Sequence, residues 1–374
     1  MTSHDAAPAA SDALDSSDAG HDAEDGGAAP AADCVELPPA ALALASRHLR
    51  DILSQAIMHT PAQAAVVVYD RQCPLADLLT AAYRHCLPDA ACIDFDTAGP
   101  DAVLAGFAGL RENDLVVLVQ STNFRLEAYR IRVELFKRGL KVIEHPHLSR
   151  MPGRESLYYI DALAYDPAYF RGVGHALKAR IDGARGGVVD SGAGNRLVFG
   201  SPFEAAKLNI GDYSGMKNVG GQFPIGEVFT EAQDLEAVSG RVRIAVFGDT
   251  AFRVNRPPRP ITLAVERGRL VEAIDSTPEF DRVLANIRAD EGEVWLRELG
   301  FGMNRAFTRE RMVSDIGTYE RMCGIHLSLG AKHGVYSKPE IRRAAARYHI
   351  DVFAVTESVL LDDAVVYRDG AWVI

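Results

Sequence analysis

Apolar and polar positions along this chain follow two different patterns, and the change falls near residue 186. Over residues 40–54 apolar side chains recur at helical spacing, and 64–69 is a continuous apolar run, as expected of a strand covered on both faces. Pro74 opens a helix that runs through Cys86. Residues 92–95 form a short strand, 102–110 a helix, and 115–119 a second buried strand. The amphipathic stretch 125–137 predicts a helix stopped by Gly139, and 141–144 closes the series. Continuous apolar strands alternating with helices predict an α/β domain with a Rossmann-like parallel sheet over residues 40–184.

Beyond it, 195–199, 241–247 and 261–265 are short, alternating and separated by turns. Arg267-Gly268 has the chemistry of a hairpin turn before the strand at 270–273. Helices are expected at 279–288 and 339–348. The second has Ser337 and Glu340 at capping-box spacing and Pro339 near its first turn, and it would join a strand carrying His326 to one carrying His349. Residues 352–374 are expected to be strands with a turn at 368–370. Residues 185–374 are thus expected to form an α+β domain on a mostly antiparallel sheet or open barrel. Ahead of both domains, the acidic Ala/Asp-rich residues 1–39 carry too little apolar surface to order themselves, and they lack the basic and apolar regions of a signal peptide.

Charge narrows the partners. The net charge is −11, yet residues 1–33 contain seven Asp and Glu24 and no Lys or Arg. Without those eight acids the remainder carries about −3, which leaves no basic face for nucleic acid. No run of 18 apolar residues predicts a membrane span. The five cysteines (Cys34, Cys73, Cys86, Cys92 and Cys323) are odd in number and lack C-x-x-C spacing, which suits reduced thiols in the cytoplasm. Gly172-Val-Gly174 has Leu177 where a dinucleotide fingerprint needs its third glycine, and neither a Walker sequence nor a G-x-S-x-G elbow is present.

The chemistry concentrates in the last 150 residues. Glu227, Glu298, Glu320, His326, His349 and Asp351 recur at the ends of predicted elements. On a strand, residues i and i+2 share a face, so His349 and Asp351 can grip one ion together. Imidazole and carboxylate without thiolate suit Zn, Mn, Co or Fe(II). Glu298 and Asp351 sit in apolar contexts, where an unpaired carboxylate is costly and a cation relieves the cost. His145-Pro-His147 is a second candidate, placed in a loop after a strand and read as solvent-exposed or substrate-contacting.

In combination, Pro224-Ile-Gly-Glu227-Val-Phe-Thr230, Glu298-Leu-Gly-Phe-Gly-Met-Asn304, Glu320 with His326-Leu-Ser-Leu-Gly330, and His349-Ile-Asp351 resemble the aminopeptidase T-type metallopeptidases and their relative 2,5-dihydroxypyridine 5,6-dioxygenase. The resemblance covers residues 185–374, with a fainter match before them. The peptidase pattern implies two ions held by Glu227, Glu298, His326, His349 and Asp351, with Glu320 as general base. The dioxygenase pattern implies one Fe(II) on His326, His349 and Asp351. His333 stands where the peptidases carry a tyrosine, which implies it as the donor to the oxyanion; Tyr336 lies near but out of register. The spacing from Glu320 to His326 is one residue longer than in the peptidases. Together these imply a metal-dependent hydrolase of an N-terminal peptide or related amide bond using one or two divalent ions. The alternatives are a mononuclear Fe(II) ring-cleaving dioxygenase and an inactive metal-binding homologue. The expected partners are a peptide or small-molecule substrate and a second copy of the chain in a homodimer, with no nucleic acid or membrane.

Overall fold

The computed structural model describes residues 37–126, 130–342 and 344–374; the acidic segment through Glu36 lies outside the described residues. The first half alternates as its pattern requires. Helix α1 (Pro39–Asp51) leads into strand β1 (Ala65–Tyr69), then α2 (Pro74–Cys86), β2 (Ala91–Asp94), α3 (Phe95–Ala108), β3 (Leu115–Val119), α4 (Ile131–Lys137) and β4 (Lys141–His145). The strands pair in parallel in the order β2-β1-β3-β4. Val67, Val117 and Ile143 pack toward α1 and α2, while Val66, Val68, Val116 and Leu118 pack toward Val103, Phe107 and Leu135 of α3 and α4. Burial on both faces explains why these strands read as unbroken apolar runs. Helix α4 begins at Ile131, later than the expected 125; residues 127–129 of that stretch lie outside the described residues.

Helices α5 (Arg154–Ala162) and α6 (Pro167–Gly183) follow, α6 capped by Asp166 with Pro167 in its first turn. Gly172 and Gly174 lie inside α6, so they form no phosphate-cradling loop. The remaining strands are β5 (Gly187–Asp190), β6 (Arg196–Phe199), β7 (Lys207–Asn209), β8 (Gly220–Gln222), β9 (Glu227–Glu231), β10 (Val238–Gly248), β11 (Val254–Asn255), β12 (Ile261–Glu266) and β13 (Arg269–Ile274). After α7 (Pro278–Glu291) come β14 (Leu296–Gly302), α8 (Ile316–Tyr319), β15 (Gly324–Leu329), β16 (Ile350–Ala354), β17 (Ser358–Leu361), β18 (Ala364–Arg368) and β19 (Ala371–Trp372).

All of these but β8 join one large antiparallel sheet, with central order β10-β16-β15-β14-β9. The fold is therefore α/β followed by α+β, as expected from the pattern. The Arg267-Gly268 turn between β12 and β13 has φ of 47° and 72°, the double left-handed geometry of a tight hairpin. Strand β8 pairs in parallel with β4, so a segment from the second half extends the first sheet, and one apolar core runs through both halves.

The helix expected over 339–348 does not form. Among its described residues there are only turns, closed by Ile341 N–H to Lys338 O and Ala345 N–H to Arg342 O; Arg343 lies outside the described residues. The Glu291 carboxylate takes the N–H groups of Arg347, Tyr348 and Ala331 instead, so α7 pins this segment from outside. No helix among the described residues is long and apolar enough to cross a membrane.

Candidate metal centre

Three adjacent strands bring the acids and imidazoles together. In β9, β14 and β15, Glu227 pairs with Gly302 and Gly300 with His326. Glycine at position 300 is a geometric need, because a Cβ there would stand 2.0 Å from Cε1 and Nε2 of the His326 ring. His326 Nε2 lies 3.1 Å from Glu227 Oε1 and 3.2 Å from Glu298 Oε1. One ligand atom from each of these three buried residues falls within 4.8 Å of the others, the spacing a single ion can span.

The second oxygen of Glu298 faces a different group. His333 Nε2 is 3.0 Å from Oε2 and His349 Nε2 4.0 Å from it, and His349 Nε2 is 3.2 Å from Asp351 Oδ1. His349 precedes β16 and Asp351 lies within it, so the i, i+2 relation holds. Glu298 thus stands between Glu227 and His326 on one side and His333, His349 and Asp351 on the other. The His349 side chain is 22% exposed while that of His326 is 1%, so the cluster opens toward solvent at His349.

Glu320, directly after α8, reaches the cluster through its neighbour. The buried Arg321 guanidinium contacts Glu320, lies 3.6 Å from Glu227 Oε2 and donates to Gly317 O. The loop holding these two residues is fastened to the α/β half: Arg150 and His147 face the buried Asp315 at 3.1 and 3.4 Å, and Glu155 accepts from Ser314.

Ionisation in this cluster is strongly shifted. Burial disfavours charge on His326, but hydrogen bonds with Glu227 and Glu298 overcome it and raise the imidazole to about 10. Burial also opposes charge on His349, and Asp351 with Glu298 raises it to about 9. Burial pushes the Glu298 carboxyl up, yet His326, His333 and His349 hold it well below the usual carboxylate range. Protons here occupy positions a cation would take.

The donor set fits a divalent ion. Among the described residues, the buried polar side-chain atoms without a hydrogen-bond partner are His59 Nδ1, Thr80 Oγ1, Arg321 Nε, His326 Nδ1, His333 Nε2 and Asp351 Oδ1, and the last four belong to this cluster or touch it. Buried polar groups are ordinarily satisfied, so such a concentration marks a place shaped for something more. Carboxylate and imidazole donors without sulfur match Zn, Mn, Co or Fe(II).

The other candidates sit elsewhere. His145, expected in an exposed or substrate-contacting loop, is fully buried at the end of β4: Nε2 lies 2.7 Å from the Tyr83 hydroxyl and Nδ1 2.7 Å from that of Tyr159, which itself donates to Phe223 O. Burial lowers its pKa to about 3, so it is a neutral core residue. His147 faces Asp315 rather than the cluster. Tyr336 lies against His333 with the rings tilted and their centroids 4.9 Å apart, while its hydroxyl donates to Ala205 O. Sequence reasoning passed over Arg321 and Arg297, whose only signal was adjacency to Glu320 and Glu298.

No protein-family model and no curated protein sequence matches the chain. Its fold is similar to that of 2,5-dihydroxypyridine dioxygenase from Pseudomonas putida KT2440, with a TM-score of 0.60 and 16% identity over 89% of this chain and 97% of that one. It is similar also to AmpT from Thermus thermophilus, with a TM-score of 0.51 and 16% identity over 89% of this chain and 99% of that one. At this identity the likeness is one of fold.

Proposed function

We propose that the chain is a metal-dependent hydrolase acting on an N-terminal peptide bond or a related amide. The observation that carries the reading is the position of Glu298, with one carboxylate oxygen facing Glu227 and His326 and the other facing His349 and Asp351. A carboxylate shared in this way suits a pair of divalent ions, with Glu227 and His326 holding one and His349 and Asp351 the other. Bound there, the ions supply Lewis acidity and a water of lowered pKa. Glu320, held by Arg321 next to Glu227, takes a proton from the attacking water as general base. The opening at His349 gives the substrate its approach.

The test begins with protein purified without added metal. Two ions of Zn, Co or Mn per chain, together with release of p-nitroaniline from aminoacyl p-nitroanilides, support hydrolysis. One iron per chain with oxygen uptake on a dihydroxypyridine overturns it in favour of a mononuclear oxygenase on His326, His349 and Asp351. Tight ion binding with neither activity identifies an inactive homologue.

A further inference from the structure

We infer that Asp315 is a positioning residue for Glu320, and that helix α5 and the 147–150 turn of the α/β half hold both in place. This role rests on the proposed reading of Glu320 as general base, and it gives the α/β half a part in the reaction.

The segment between β14 and β15 runs from Met303 to Cys323 and carries Glu320 near its end. One side of α5 receives it. Glu155, Tyr158 and Asp161 are spaced three apart and line the same side of that helix, with Ala162 beside them. Ala162 O accepts from Asn304 Nδ2 at 2.8 Å, Asp161 accepts from Arg311 Nη2, and the Arg311 guanidinium stands 4.4 Å from the centroid of the Tyr158 ring. Glu155 accepts from Ser314, from its N–H at 2.6 Å and its Oγ at 2.8 Å. As the segment advances from 304 to 314, its contacts pass from the last turn of α5 to the first. The two therefore lie antiparallel, joined by charged and polar pairs along that whole length.

Asp315 is where this cradle meets the site. Its buried carboxylate has one oxygen toward each side. Oδ1 faces Arg150 Nη1 at 3.1 Å and His147 Nδ1 at 3.4 Å, while Oδ2 accepts from the N–H of Thr318 at 3.0 Å and its Oγ1 at 2.9 Å. Burial pushes this carboxyl up, but His147, Arg150 and Thr318 hold it below its ordinary value, so the charge persists. Backbone bonds with Phe252 and Val254 fix the course of the chain at 314–316, and the Asp315 side chain fixes how α8 is turned about it. From there the position is passed on through Tyr319 N–H to Asp315 O and Glu320 N–H to Ile316 O, each at 3.0 Å, and Arg321 Nη1 to Gly317 O at 3.0 Å.

A general base works only within hydrogen-bond reach of the proton it takes, and a misplacement of about 1 Å costs on the order of 10²-fold in rate. Among the described residues, Arg150 and Glu155 bond to Asp315 and Ser314 and to no candidate ligand. Loosening them should therefore move Glu320 and leave the ions in place.

The test uses full-length Arg150→Met, alone and combined with Glu320→Gln, with ion counts, turnover of an aminoacyl p-nitroanilide and amide hydrogen exchange. The expected Arg150→Met protein binds the wild-type number of ions and loses about 10²-fold in kcat at nearly unchanged KM. It adds nothing to the loss already present in Glu320→Gln, because both act on the same step. In ion-free Arg150→Met the amides of Thr318, Tyr319 and Glu320 exchange faster, while the strands of the large sheet exchange as in wild type. A further loss in the Glu320→Gln background equal to that in wild type overturns the inference, as does unchanged exchange at the three amides. Loss of an ion in Arg150→Met overturns it too, since Asp315 would then serve the ions. Where Arg150→Met does not fold, Glu155→Gln loosens the same anchor and gives the same readouts. Absence of p-nitroanilide turnover in the wild type sinks the functional reading alone, because the hold of Asp315 on Glu320 is read equally by exchange on ion-free protein.

Discussion

Gly300→Ala tests whether His326 holds metal, without touching any ligand. The added methyl would stand 2.0 Å from Cε1 and Nε2 of His326, against an ordinary contact of 3.4 Å or more. The ring must retreat by about 1.4 Å, whereas a metal–ligand distance tolerates only about 0.2 Å. Retreat is limited, since the Phe353 ring packs on His326 with centroids 5.8 Å apart. Overpacking of this kind costs about 1–3 kcal/mol of stability, so the ion-free variant still folds, with melting lowered by a few degrees. Ion affinity falls by more than the roughly 10–100-fold typical of disturbing a partner that merely orients a ligand.

Calorimetric titration with Zn, alongside thermal melts of the ion-free protein, separates the two costs. Gly302→Ala is the control: its methyl meets the Met322 carbonyl at 1.9 Å, a backbone clash that the sheet must absorb, so stability falls more steeply there than in Gly300→Ala. Wild-type Zn affinity in a folded Gly300→Ala protein would refute the placement of His326 in the metal centre.

Three further outcomes follow from the same geometry. Glu320→Gln keeps its ions and loses about 10²–10⁴-fold in turnover on an aminoacyl p-nitroanilide, as expected of a lost general base; loss of ions instead would make it a ligand. His326 at about 10 and His349 at about 9 lie above the unfolded value near 6.5, so their stabilisation is full below pH 6.5 and fades as pH rises toward 10. Ion-free wild type should therefore lose melting temperature between pH 7 and 10 relative to His326→Gln, and Zn should remove that slope; parallel curves would contradict it. His145, lowered to about 3, has the opposite sign: its contribution is full above pH 6.5 and shrinks as pH falls toward 3. Urea unfolding should show His145→Phe less stable at pH 7 by roughly 1–3 kcal/mol, through the Tyr83 hydroxyl left unpaired while Tyr159 keeps its bond to Phe223 O, but less sensitive to acid than wild type.

The parts of the fold legible in sequence are those whose cause is local. Pro74 starts α2, and the apolar run 115–119 becomes β3 because helices cover both its faces. The turn at Arg267-Gly268 is written in the conformational freedom of Gly268, with Arg267 drawn into the left-handed region beside it. What sequence reasoning misplaced was decided by distant partners. Ser337 and Glu340 have capping-box spacing, but Glu291, some fifty residues upstream, takes the N–H groups of Arg347 and Tyr348 and keeps that segment from coiling. His145-Pro-His147 has the polarity of an open loop, yet Tyr83 and Tyr159 satisfy both nitrogens of His145 and let it stay buried. The cluster of acids and imidazoles could be anticipated as a set, because polar groups set among apolar residues call for partners, although Glu298, His326 and Asp351 lie inside β14, β15 and β16 and not at the element ends expected from sequence. Its division by Glu298 could not, since that depends on which oxygen faces which ring.

Glu298 gains this position through an irregularity in its own strand. The register between β14 and β15 shifts between Leu296 and Leu299, and the two residues inside that interval are Arg297 and Glu298. In a regular strand such neighbours point to opposite faces, and in an apolar sheet both charges would need separate means of neutralisation. Here each has found one. Arg297 forks onto Glu231 and fastens the 331–336 loop, while Glu298 donates its N–H to Ser328 Oγ and turns its carboxylate to the imidazoles. Bulges are common beside functional sites because they re-aim side chains without breaking the sheet. One such shift sets the central carboxylate of the candidate metal centre and the arginine that holds the 331–336 loop at adjacent positions. A substitution that regularised the strand would therefore disturb ion binding and the anchoring of that loop together, although the two are read by different experiments.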